Sequence, residues 1–82
     1  MTPIDEPVVV VASFAGGERV RPIKFRWGDR VIHVKEITYR WTKQEGKRKL
    51  YLFSLTDGRT LYNISFDPAG LIWRLEGLET DI

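Results

Sequence analysis

Pro22 to Trp41 reads PIKFRWGDRVIHVKEITYRW, with charged and apolar side chains alternating on both sides of Gly28-Asp29. Alternation at period two marks a half-buried β-strand, and Gly-Asp at the centre suits a type II′ hairpin turn. A two-residue turn there sets Trp27 opposite Arg30, Phe25 opposite Ile32 and Ile23 opposite Val34. One face of the hairpin is then Ile23, Phe25, Trp27, Ile32 and Val34. The other is Lys24, Arg26, Val31, His33 and Lys35. Opposed residues of an antiparallel pair share a face, so the agreement supports the hairpin.

Beyond Val34 the apolar parity changes, to Ile37, Tyr39 and Trp41, which requires a bulge or bend, placed at Lys35-Glu36. Further turn signals follow: Ala15 to Glu18, the polar loop Gln44 to Arg48, Asp57-Gly58 (type I′), and Asp67-Pro68-Ala69-Gly70 (type I). The Asp57-Gly58 hairpin groups Tyr51, Phe53 and Leu55 with Thr60, Tyr62, Ile64 and Phe66. The next turn adds Leu71, Trp73 and Leu75 to that face. No segment sustains a helical apolar period. The expected fold is all-β: an antiparallel meander of five to six strands, closed in part as a small SH3-like barrel, since closure removes exposed edges. Leu50, Leu52, Leu61 and Ile72 fall on the opposite face. The strand near Val8 to Phe14 is expected to cover them, with a second subunit as the alternative.

The chain has 82 residues, 43% of them apolar and 12% aromatic. That suffices for one domain, which at this size buries roughly 60% of its unfolded surface. Residues 1–7 read as a flexible lead-in, 8–78 as the domain and 79–82 as a tail. The absence of cysteine excludes disulfides, thiolate metal sites and a cysteine nucleophile. The first residues, MTPIDEPVVVVASF, have no basic n-region and only a short apolar run, so the expectation is a soluble, cytoplasmic protein that does not engage a membrane.

A pattern of Pro22, Phe25, Trp27, Arg30, Val34, Ile37 and Trp41, followed by the charged stretch Lys43 to Lys49, Asp57-Gly58 and Trp73-Arg74-Leu75, resembles a family of small uncharacterised bacterial domains. The resemblance covers about residues 20–78. It implies a small β-barrel and an association with translesion-polymerase proteins, and it carries no established activity or catalytic residues.

Charge is segregated. Residues 19–49 hold eleven Lys and Arg against three acids, a net +8, while the rest holds Arg59 and Arg74 against eight acids, a net −6. Such asymmetry points to an anionic partner. Catalysis needs an activated group, and the one histidine, His33, stands among cations with no carboxylate to orient it. The acids sit in turns, where turn chemistry accounts for them, so neither a metal site nor a cofactor site is expected, and the chain is read as no enzyme. Trp27, Trp41 and Trp73 are placed in the core, with Phe25, Phe53, Phe66 and Tyr62; Tyr39 and Tyr51, flanking the basic loop, are the expected exceptions, with rings that can pack while the hydroxyl stays wet. The candidate site is Arg19, Arg21, Lys24, Arg26, Lys35, Lys47, Arg48 and Lys49, a basic strand face plus a basic loop that would hold a nucleic-acid backbone or another polyanion. The competing reading is a protein–protein adaptor, monomeric or weakly dimeric, using an edge strand or the apolar second face.

Overall fold

The computed structural model describes residues 1–15 and 20–80. They form seven strands: β1 (Thr2–Phe14), β2 (Val20–Trp27), β3 (Arg30–His33), β4 (Glu36–Glu45), β5 (Arg48–Thr56), β6 (Thr60–Asp67) and β7 (Ile72–Thr80). All pairings are antiparallel, in one sheet of order β3-β2-β1-β7-β6-β5-β4. No helix in the described residues is long and apolar enough to cross a membrane.

The Gly28-Asp29 hairpin has the expected register, with Trp27 opposite Arg30, Phe25 opposite Ile32 and Arg26 opposite Val31. Gly28 takes φ +62°, the conformation a type II′ turn demands at its first central position and L-residues avoid. After His33 the chain turns a corner. Val34 N–H still donates to Ile23 C=O of β2, whereas Lys35 N–H donates to Thr56 C=O of β5. Two residues therefore carry the chain from one end of the sheet to the other, so the sheet curls until its ends meet. No ladder joins β4 to β2 or β3, and the sheet is not closed. Seven strands replace the expected five or six because this corner divides one expected strand in two.

The concave side holds the core. Phe25, Ile32, Phe53, Leu55, Tyr62, Ile64, Phe66, Trp73 and Leu75 are buried, with Val8 and Val20. Phe25 meets Tyr62 edge-on at 5.3 Å, and Phe66 stacks on Trp73 at 4.5 Å. Around Asp57 the observed register pairs Leu55 with Tyr62 and Thr56 with Leu61. A two-residue turn would pair Leu55 with Thr60. The slip is even, so every side chain keeps its face. Its cause is the Asp57 carboxylate, whose Oδ1 accepts from Arg59 and Thr60 N–H and organises a wider loop.

Several expectations need correction. Residues 2–7 are no lead-in: they form the first part of β1, paired with β7 from Thr2–Leu78 to Pro7–Arg74. Gly77 permits this approach, since a Cβ there would lie 2.9 Å from the Thr2 carbonyl. Nor does β1 cover the second face; it inserts between β2 and β7, leaving Ile72 exposed. Ile23 is exposed because β1 pairs Val11 with Lys24 but Ala12 with Pro22, so Ile23 bulges and Pro22 takes the buried place. Leu71 sits in the β6–β7 turn at φ +56°, 76% exposed, and Trp73 takes the position opposite Phe66. Trp27 is half-buried against the core, its Nε1 donating to Glu6 at 3.3 Å.

Trp41, expected in the core, is part-buried on the other side of the sheet. A second bulge, between Ile37 and Tyr39, pairs Tyr39 with Ser54, Arg40 with Phe53 and Trp41 with Leu52. Arg40 thus takes the core-side parity, its guanidinium 5.6 Å from the Phe53 ring centroid. Tyr39 and Trp41 go to the convex side.

Candidate anion-binding face

Strand β2 offers alternate side chains to the two sides of the sheet. Val20, Pro22 and Phe25 are buried, and Arg21, Lys24 and Arg26 project from the convex side. Ladder neighbours fill in that surface: Ser13 beside Arg21, Val11 and His33 beside Lys24, Val9 and Val31 beside Arg26. The result is a row of three cations between two rows of small and apolar side chains. Val9, Val11 and Val31 are each at least half exposed. Among the described residues, no ion pair involves Arg21, Lys24 or Arg26.

The other expected site residues lie elsewhere. Lys35 sits at the corner, its side chain running along Gly58 of the β5–β6 turn. The expected polar loop is a two-residue turn, Gly46-Lys47, between strands that continue to Glu45 and Arg48. Lys47 is at its tip. Arg48 and Lys49 diverge: Arg48 reaches Asp67 on the convex side, and Lys49 Nζ lies 5.3 Å from the Tyr51 ring centroid on the other. Arg19 lies outside the described residues. The structure therefore gathers Arg21, Lys24 and Arg26 into one surface and leaves Lys35, Lys47, Arg48 and Lys49 out of it.

The convex face of β4 to β7 carries a different electrostatic pattern. A shallow groove of about 320 Å³ is floored by Leu50 and Leu52 and flanked by paired charges. Arg48 bonds Asp67, Lys43 pairs with Glu45 at 3.2 Å, and Ser65 donates to Glu76 at 2.6 Å. Arg74 Nε donates to the Asp5 carboxylate and its Nη2 to the Asp5 carbonyl, each at 2.9 Å, which holds Asp5 at φ +55° in a β1 bulge. No group of three His, Cys, Asp or Glu among the described residues could hold a metal ion. The His33 ring has Lys24 as its ladder neighbour.

Sequence reasoning missed Arg40. Its Nη1 donates to the Val20 carbonyl at 2.8 Å and ties β4 to the start of β2 across the open seam. The signal was an arginine between two aromatics at alternate positions of a strand, where one of the two sets has to leave the core side. No protein-family model, curated protein or solved structure matches the chain.

Proposed function

We propose that the chain is a noncatalytic binding module, a small partly closed barrel of SH3-like kind, that holds nucleic acid through the convex face of β2. One observation carries this reading: Arg21, Lys24 and Arg26 line up on one exposed face and no carboxylate of the described residues pairs with them. Three cations along one strand suit a phosphate backbone, whose charges repeat at similar spacing, and they supply no donor–acceptor pattern that would read a base sequence. Lys35, Lys47, Arg48 and Lys49 are outside this reading.

The test is fluorescence anisotropy with labelled oligonucleotides across about 50–200 mM salt. Affinity should fall steeply with salt, and Lys24→Glu with Arg26→Glu should abolish most of it for every sequence while the melting temperature stays near wild type. Binding unchanged in that double variant would remove β2 from the site. Val9, Val11 and Val31, exposed on either side of the cations, favour an adaptor role as the second reading. Absence of oligonucleotide binding, with salt-insensitive capture of a protein partner, would establish that role instead.

A further inference from the structure

We infer that this binding face continues across the open seam onto the convex side of β4, and that its ligand is single-stranded nucleic acid whose bases stack on Tyr39 and Trp41. The inference rests on the reading of β2 as the backbone-binding strand, and three observations support it.

The bulge between Ile37 and Tyr39 turns both rings outward and puts Arg40 on the core side. For burial alone the reverse would be better, because an aromatic ring gains far more than a guanidinium from the core. Bulges re-aim side chains, and this one sets both rings on the convex side, Tyr39 exposed and Trp41 part-buried. Tyr39 is 65% exposed, and its centroid lies 5.4 Å from that of Trp41 with the rings inclined by 32°. The pair forms a broad aromatic platform. Arg40 then fixes where that platform stands. Its bond to the Val20 carbonyl joins β4 to β2 at the residue before Arg21, and Tyr39 and Trp41 are the chain neighbours of Arg40. That hydrogen bond holds the aromatics of β4 beside Arg21 at the seam, and Lys24 and Arg26 continue the cationic row along β2, behind His33 and Val31 of β3.

A duplex hides its base faces and would use the cations alone. A single strand presents phosphates on one side and unstacked bases on the other, and cationic tracks beside aromatic platforms are how such strands are held without sequence preference.

Anisotropy titrations with a labelled oligothymidylate and with a duplex of equal length provide the test. The expected result is tighter binding of the single strand, a loss of about fivefold or more in Tyr39→Ala, and a salt slope unchanged in that variant because no phosphate contact is removed. Tyr39 is exposed, so the substitution leaves folding intact. As an independent readout, oligothymidylate should quench tryptophan emission in the wild type, and Trp41→Phe should bind while losing that quenching. Duplex binding equal to single-strand binding, with Tyr39→Ala at wild-type affinity, would overturn the inference and leave the β2 site standing. Quenching that persists in Trp41→Phe would remove Trp41 from the platform. Binding of neither ligand would overturn both proposals.

Discussion

The two convex surfaces of this sheet handle charge in opposite ways. On β4 to β7, Arg48, Arg74 and Lys43 each meet a carboxylate, and Ser65 satisfies Glu76. On β2, Arg21, Lys24 and Arg26 meet none among the described residues. A count of cations alone does not distinguish such surfaces, since each carries three of those named. The distinction is whether a cation's partner lies inside the molecule or has to come from outside. Cations of the first kind should matter to stability and those of the second to binding.

That contrast can be broken from beneath. Phe25 is buried directly between Lys24 and Arg26 in the chain and packs on Tyr62. Phe25→Ala should cost about 3–5 kcal/mol and erase both surfaces together, as measured by urea unfolding. A smaller effect belongs to the paired side. Arg48→Ala strands the Asp67 carboxylate, whose side chain is only 11% exposed and otherwise bonds Ala69 N–H. A loss of about 1–2 kcal/mol is expected. Lys24→Ala, in contrast, should stay within about 0.5 kcal/mol of wild type while weakening oligonucleotide binding. Equal stability losses in these two variants would dissolve the distinction.

The smallest effect is a titration. Burial raises the Asp57 carboxyl, but the N–H groups of Arg59, Thr60 and Asp57 itself, with the charge of Arg30, outweigh it and hold the group below its ordinary 3.8. The folded state therefore favours the ionised form. Its contribution is present above the ordinary value and is lost as pH falls through the lowered one. Asp57→Asn keeps an oxygen acceptor for the turn but does not titrate. Its melting temperature should fall less steeply than that of the wild type between about pH 5 and pH 2.

The hairpin at Gly28-Asp29 was legible because two turn residues leave one register, and the outward Lys24 and Arg26 follow from it, whereas Arg21 joins them only through the bulge at Ile23. At Asp57 the turn type was misread, yet the faces survived because a slip of two preserves parity. Leu71 was misplaced by the β6–β7 turn, and Ile23 and Trp41 by bulges at Ile23 and Thr38. A bulge shifts parity by one, and neither Ile23 nor Thr38 is a glycine or proline that would announce it. The parity change expected at Lys35-Glu36 is real, at the Val34-Lys35 corner. The second change, three residues later, returns Tyr39 and Trp41 to the convex side. The seven expected site cations that lie among the described residues were one group in sequence and are several in space; Arg48 and Lys49, for one, occupy successive strand positions and must part.

Strand β1 is shared: its first half pairs with β7 and its second with β2. Thr2 lies opposite Leu78, so the start of β1 and the end of β7 stand side by side, at the same end of one antiparallel ladder. Pulled apart at those ends, the molecule is loaded like a zipper, with the ladder's bonds broken in succession from Thr2 toward Val8. It should yield at low force.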